Sequence, residues 1–119
     1  MPTDEIDSFL PLPTAVFHIL VALADSDRHG YSIMQDVETR TEGKVRLSAG
    51  TLYTAIRRML DQGLIEELNE SPDPESADER RRYYRLTKFG RDVAIAEAKR
   101  FSDLLEQARA TKLIPRKLS

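Results

Sequence analysis

Apolar residues recur every three or four positions in three stretches of the first half of the chain, which predicts three short helices. The first is expected to start near Thr14, a possible N-cap residue. The second is expected at residues 31–40 and to be closed by Gly43. The third should begin after Ser48, a good N-cap residue, and end before Gly63, which suits the C′ position.

After the third helix the hydrophobic period changes from helical spacing to alternation. The residues "LIEEL" can form a strand, and "RYYRLT" is a stronger candidate because Tyr84 and Leu86 alternate with Tyr83 and Arg85. The polar, acidic residues between them contain two prolines and are too long for a tight turn. Three helices followed by a hairpin predict a mainly α fold with a small β-hairpin, a winged helix-turn-helix.

The last predicted helix runs from about residue 88 to residue 110 and carries an apolar seam with spacings of 4, 3, 4 and 3. At about 1.5 Å per residue it would be about 35 Å long, longer than a small winged-helix body can cover. We therefore expect a winged-helix domain at 10–87 and a C-terminal dimerisation helix at 88–112. The expected dimer interface consists of Val93, Ala94, Ala98, Phe101, Leu104, Leu105 and Ala108.

The outer face of the third helix carries hydroxyl groups near its N-terminus and two arginines one turn later. If Leu52, Ile56 and Met59 face the core, residues such as Arg57 and Arg58 face outward. A helix that reads the major groove presents this combination of hydroxyl and cationic side chains. The alternative is an ordinary amphipathic helix whose outer face is simply hydrated.

The charges are segregated along the chain, although the formal net charge is only −2. Residues 1–27 contain five acidic residues and residues 66–79 contain seven, with no Lys or Arg in either stretch. Residues 80–91 contain six Lys or Arg residues and no acidic one. Such asymmetry indicates an anionic partner met by one part of the surface, although charge runs are also common on solvated faces.

Several classes of function lack support in the sequence. With no cysteine and only two histidines, a metal site is not expected. We find no nucleophile–base pair and no phosphate-binding glycine loop, so neither an enzyme nor a cofactor is expected. The N-terminus does not resemble a secretory signal and no apolar run is long enough to span a membrane. The length of 119 residues fits one domain, or one domain plus an oligomerisation element, and the absence of cysteine is compatible with the cytoplasmic location that we expect.

Three motifs together resemble the PadR family of bacterial transcriptional regulators: "HGYSI" at residues 29–33, "LSAGTLYTAIRRMLDQGLI" at residues 47–65 and "RRRYYRLTKFGRD" at residues 80–92. The resemblance covers residues 12–108 and implies a dimeric winged-helix repressor that binds double-stranded DNA. It implies a phosphate contact for Tyr31, groove-facing roles for residues of the third helix and wing contacts for two arginines. With the cations of the preceding turn, the expected DNA-binding residues are Tyr31, Lys44, Arg46, Ser48, Thr51, Tyr53, Thr54, Arg57, Arg58, Arg81 and Arg82.

The chain differs from the family pattern in two places. Thr54 stands where the family commonly has proline, and the region between the two predicted strands is long and acidic instead of short and rich in Gly, Arg and Pro. Regulators of this family often respond to a phenolic or hydrophobic compound bound near the dimer interface. The resemblance therefore implies a candidate effector site, for which Phe9, Phe17 and Phe101 are the candidate lining residues.

Two alternatives remain open from the sequence. Tyr31 can be either a phosphate ligand or an ordinary core tyrosine. The chain can also be a winged-helix module that binds another protein and no DNA, although Arg57 and Arg58 argue against it because such a module would present an apolar or acidic outer face.

Overall fold

The computed structural model describes residues 3–68 and 82–115, which form a mainly helical fold with a small antiparallel sheet. This confirms the predicted winged-helix class, with three strands instead of two, because the sheet order is β1-β3-β2. The elements are α1 (Thr3–Asp7), α2 (Thr14–Asp25), β1 (Arg28–His29), α3 (Gly30–Arg40), α4 (Ala49–Asp61), β2 (Ile65–Leu68), β3 (Tyr83–Leu86) and α5 (Lys88–Ala110).

The predicted hairpin is present as the antiparallel pair of β2 and β3, and a third strand that was not predicted, β1, pairs with the far side of β3. Arg28 lies opposite Tyr84, and His29 lies opposite Tyr83. A strand of two residues carries no alternation that a sequence could reveal, so its pairing depends on the tertiary fold. The short helix α1 was also not predicted.

The predicted bounds of α3, α4 and α5 are confirmed to within one residue, and α2 starts at Thr14 as predicted. The side chain of Ser48 accepts a hydrogen bond from the Thr51 amide at the start of α4. Gly63, with a φ of +76°, follows the end of α4 in the left-handed conformation that glycine adopts at low cost. Thr14, by contrast, is not a cap: it is the first residue of α2, and the preceding Pro13 makes no side-chain capping bond.

The core lies where α2 packs against α3, α4, α5 and the sheet. α4 contributes Leu52, Ile56 and Met59, the three residues predicted to face inward, and all three are buried. The other buried apolar residues are Leu12, Val16, Ile19, Leu20, Ala22, Leu23, Ile33, Val37, Ala55, Leu64, Ile65, Tyr84 and Val93. This core holds α4 by one face and leaves its opposite face open to solvent.

The end of α4 and the start of α5 meet in a single joint, which consists of Gly63, Leu64, Thr87 and Gly90. The Thr87 amide donates to the Leu64 carbonyl at 3.1 Å, and the Thr87 hydroxyl donates to the Gly63 carbonyl at 2.6 Å. The same hydroxyl oxygen accepts the Gly90 amide at 2.9 Å and so caps α5. Gly90 allows this approach, since a Cβ there would overlap the carbonyl oxygen of Leu64.

Only the first part of α5 is packed against the rest of the chain. Gly90, Val93 and Glu97 are its buried residues, and every residue from Ala98 to Pro115 is at least partly exposed. The C-terminal part of the helix therefore projects from the body of the fold.

Candidate nucleic-acid interface

The outward face of α4 has the composition that the sequence predicted. Thr51, Tyr53, Thr54, Arg57 and Arg58 are all exposed, since the apolar residues on the opposite face fill the core. At the helix start, the Ser48 hydroxyl donates to the Thr51 hydroxyl at 3.0 Å in addition to capping the helix. Both hydroxyl groups remain exposed and can accept further hydrogen bonds from water or a ligand.

The two arginines of α4 have no carboxylate partner within residues 3–68 and 82–115. They are consecutive, so their side chains leave the helix about 100° apart. Arg58 extends towards the start of α2, where it lines a groove of about 370 Å³ with Pro13, Gly50 and Thr54. Arg57 does not line this groove, so the two cations cover different sides of the same outer face.

The cations of the neighbouring elements differ in how far they are neutralised. Arg28 pairs with Asp25 and Asp36, both at 3.0 Å, and Arg40 pairs with Asp36 at 2.6 Å and Asp25 at 3.0 Å. The hydrogen bond that Arg40 donates to the Asp36 carboxylate raises the pKa of Arg40 above its usual value. These four side chains neutralise one another, so the α2–α3 corner offers no net positive charge.

The turn between α3 and α4 presents two exposed cations beside α4. Gly43, with a φ of +81°, and the Thr41 hydroxyl, which accepts the Val45 amide at 3.0 Å, shape this turn. Lys44 has no carboxylate partner within the described part of the chain. Arg46 lies 3.8 Å from a carboxylate oxygen of Glu38, a loose and exposed pair.

The arginines of the wing, which is the pair of strands β2 and β3, are less available for contact with DNA than the sequence suggested. In the register of β2 with β3, Glu66 lies opposite Arg85, and their side chains are 3.6 Å apart. Arg82 lies 3.6 Å from Glu67. Such exposed pairs contribute at most about 1 kcal/mol, so a phosphate could replace either carboxylate. The predicted contact of Arg81 and the acidic stretch before it lie outside the described residues.

Two exposed tyrosines, Tyr31 of α3 and Tyr53 of α4, lie near the start of α3. Tyr31 is 56% exposed, so the interpretation as a core residue is wrong and the interpretation as a phosphate ligand stays a prediction. Tyr53 is 45% exposed, and its hydroxyl lies against Gly30, where a Cβ would overlap it. His29 caps α3 by accepting the Ser32 amide at 3.1 Å. The motif "HGY" therefore starts α3 and leaves room for Tyr53.

Most of the residues predicted for a dimer interface are open to a partner. Phe101, Leu104 and Leu105 are 43%, 52% and 37% exposed on the projecting part of α5, Ala98 is also exposed, and Ala94 and Ala108 are partly exposed. Val93 is a correction: it is fully buried in the core of its own chain and cannot reach a second copy. The seam continues through the whole helix, but its first turns are used within one chain.

The three phenylalanines predicted to line an effector site do not form one cluster. Phe17 of α2 contacts Phe101 with ring centroids 5.2 Å apart, whereas Phe9 contacts Phe89 at 5.4 Å. Phe17 also lines an apolar groove of about 210 Å³ between α2 and α5, together with Val21, Ala94 and Ile95. Phe9 lines a separate groove beside Arg58.

No group of His, Cys, Asp and Glu side chains in the described residues could hold a metal ion. The helices that the structure describes include none that is both long and apolar enough to cross a membrane.

The chain is similar in sequence and in fold to known proteins. Residues 19–96 match the family described as the transcriptional regulator PadR-like family. The chain is 27% identical to a PadR family transcription regulator from Clostridium difficile, with a TM-score of 0.63 over 80% of this chain and 96% of that one.

Two further solved structures share the fold. A transcriptional regulator from Clostridium thermocellum has a TM-score of 0.67 and 23% identity, over 97% of this chain and 99% of that one. A PadR-like transcription factor from Bacteroides fragilis has a TM-score of 0.68 and 21% identity, over 91% of this chain and 99% of that one.

Proposed function

Because the chain belongs to the PadR-like family, whose members are transcriptional regulators and not enzymes, we propose that it binds double-stranded DNA with α4 in the major groove. The observation that carries the proposal is the outer face of α4, where Arg57 and Arg58 are exposed and have no carboxylate partner among the described residues. Arginine can form bidentate contacts with guanine or pair with a phosphate. In support, Lys44 and Arg46 lie in the adjacent turn, and Tyr31 is exposed at the start of α3.

We further propose that the regulator acts as a homodimer that joins through the projecting part of α5. A second copy would cover Phe101, Leu104 and Leu105, which one chain leaves exposed. A two-fold dimer would present two α4 helices about one DNA turn apart, about 34 Å, and would therefore read a palindromic operator. Binding to such an operator within a promoter would repress transcription.

A small hydrophobic or phenolic effector would release the repressor by binding near the dimer interface. The groove between α2 and α5 supports this proposal, since Phe17 and Phe101 lie in contact beside it. The contact between Phe9 and Phe89 does not support a role for Phe9 in the same site.

The test is a selection of bound fragments from the organism's own DNA at about 150 mM salt, with competitor DNA present. We expect an inverted repeat whose half-sites are about one helical turn apart. A protein that is folded and dimeric but enriches no sequence would contradict the proposal and favour the alternative, a winged-helix module that binds another protein.

The two arginines of α4 should have separable effects on the selected operator. Arg57→Ala and Arg58→Ala should each weaken binding by about 1–3 kcal/mol if the arginine pairs with guanine, with a relaxed preference at one position. A phosphate contact would instead weaken all sequences alike. Lys99→Ala is the matched control: Lys99 is an exposed cation of α5 that pairs with Asp103, and its loss should change affinity little. Unchanged affinity in both arginine variants would contradict the placement of α4 on DNA.

A further inference from the structure

Glu97 lies near the point at which α5 leaves the body of the fold, one turn before the contact of Phe101 with Phe17. Its side chain is fully buried, the only charged side chain for which this holds within residues 5–68 and 82–115. It is also the last buried residue of α5. A charge is costly to bury unless it is paired and hydrogen-bonded, so its contacts show what it holds in place.

The carboxylate of Glu97 joins α5 to the segment that leads into α2. Its Oε2 atom accepts the backbone amide of Leu12 at 2.8 Å. Leu12 stands between Pro11 and Pro13, which have no N–H group, so its amide is the one backbone donor of this tripeptide. The bond therefore uses the single point at which the carboxylate can hold this stretch of backbone.

Arg100 completes the charge balance one turn later on the same helix. Its Nε donates to Oε1 of Glu97 at 2.5 Å, and its Nη2 donates to Oε2 at 3.2 Å. These bonds, with a smaller contribution from the Leu12 amide, lower the pKa of Glu97 despite its burial. The pair is thus ionised and fixed in geometry at neutral pH.

A second contact holds the next turn of α5 to α2. The guanidinium of Arg100 lies 4.8 Å from the ring centroid of Phe101, and that ring contacts Phe17. These two contacts, with Leu12 just before α2 and with Phe17 in its first turn, add to the packing of α5 against α2. Since α2 packs against α4, these contacts relate the direction of α5 to the position of α4.

A small change at Glu97 would be amplified along the projecting helix. The helix from Glu97 to Ala110 comprises 14 residues and extends about 20 Å at a rise of about 1.5 Å per residue. A tilt of about 15° at Glu97 would displace the far end by about 5 Å, more than the rise of about 3.4 Å per base pair. The direction of α5 thus bears on which half-site spacing two joined copies could reach.

We propose that Glu97 is a positioning residue that sets, through the direction of α5, the separation of the half-sites that the dimer reads. This inference rests on the proposed function, a dimeric reader of a palindromic operator. Glu97 contacts no DNA in this scheme and acts through the placement of α4.

The experiment uses a DNA library in which the selected half-site is repeated with spacers of different length. Wild-type protein should prefer one spacing over those one base pair longer or shorter by about tenfold, as expected for a geometrically fixed dimer. Glu97→Gln keeps an acceptor for the Leu12 amide but loses the charge that holds Arg100. We expect its preference to fall to about threefold or less, or to move to another spacing.

Two further variants separate positioning from stability. Glu106→Gln is the matched control, because Glu106 pairs with Arg109 at 2.7 Å with the same i,i+3 spacing on α5 but in solvent; it should retain the wild-type spacing. The double variant Glu97→Gln, Arg100→Gln leaves no unpaired charge and remains testable if Glu97→Gln alone is unfolded. It should lose the spacing preference as well.

A measurement without DNA gives an independent readout. The chain has no cysteine, so Asp61→Cys at the end of α4 gives one labelling position per copy. The distance between the two spin labels of a dimer should be narrowly distributed in this background and broader, or shifted, when Glu97→Gln is added.

A folded Glu97→Gln dimer with the wild-type spacing preference and label distance would overturn the inference, even if it melted at a lower temperature. Such a result would make Glu97 a purely structural residue. Failure of the proposed function would look different, because wild-type protein would then enrich no operator or form no dimer. That outcome would overturn the inference together with the function.

Discussion

Single residues explain why the motif "YYRLTKFG" ends in glycine. Thr87 and Gly90 bring the start of α5 against the end of α4, and the carbonyl oxygen of Leu64 occupies the space that a side chain at position 90 would need. Backbone atoms cannot move aside as the end of a flexible side chain can. The glycine is therefore required for packing, although it lies within a helix, where glycine is otherwise unfavourable.

Gly90→Ala should reduce the free energy of unfolding by about 2–4 kcal/mol, because the added methyl group forces α5 away from Leu64. Denaturation in urea, monitored by circular dichroism, measures the change. Gly50→Ala is the matched control, since a Cβ at Gly50 meets nothing within 4 Å and alanine favours the helix. Equal stability of Gly90→Ala and wild-type protein would contradict the packing role of Gly90.

The sequence pattern predicted which residues of the candidate site are exposed but not which of its arginines form ion pairs. The outward face of α4 follows from helical spacing alone, so Arg57 and Arg58 could be placed before the fold was known. The ion pairs of Arg82 with Glu67 and Arg85 with Glu66 could not, because they depend on the register of β2 against β3. The burial of Glu97 was also missed, since a glutamate in a long polar helix gives no sign that it is buried.

At the scale of elements, the apolar seam of α5 has two parts, one buried within the chain and one exposed to solvent. Its spacing predicted a single interface, but Val93 packs in the core of its own chain while Phe101, Leu104 and Leu105 remain exposed. A repeating pattern shows that a face is apolar and not which partner covers it. The strand β1 shows the converse case, a real element that is too short to leave a pattern.

The exposed part of α5 should form the dimer interface. The double variant Leu104→Ser, Leu105→Ser removes apolar area that only a partner would bury, so it should shift the equilibrium to monomer and raise the dissociation constant by about tenfold or more. Light scattering across a concentration series measures this shift. Leu113→Ser, at an 80% exposed position beyond the helix, is the control and should remain dimeric. A double variant as dimeric as wild type would place the interface elsewhere.

For the whole molecule, binding of an anionic partner depends more on where unpaired cations lie than on the net charge of −2. Arg28 and Arg40 are neutralised by Asp25 and Asp36, whereas Lys44 and the arginines of α4 have no carboxylate partner in the described residues. An acidic chain can thus still offer a cationic surface to DNA.

The affinity for DNA should fall steeply with salt. If the dimer neutralises about six phosphates, binding should weaken about 10³-fold between 50 and 200 mM salt, because condensed counterions are released on binding. Fluorescence anisotropy of a labelled operator over this range measures the slope. Lys44→Ala should make the slope shallower by about two, one for each copy, if Lys44 contacts a phosphate. An affinity independent of salt would contradict the electrostatic part of the proposal.

The joint between α4 and α5 has a consequence for how such a chain can diverge. Thr87 donates hydrogen bonds to the carbonyl groups of Gly63 and Leu64. The pairing of β2 with β3 extends to Leu68, which lies opposite Tyr83. Insertions or deletions between residues 68 and 83 would leave the joint and the direction of both helices unchanged. A change in length or charge in that stretch would therefore not alter the groups that hold α4 against α5.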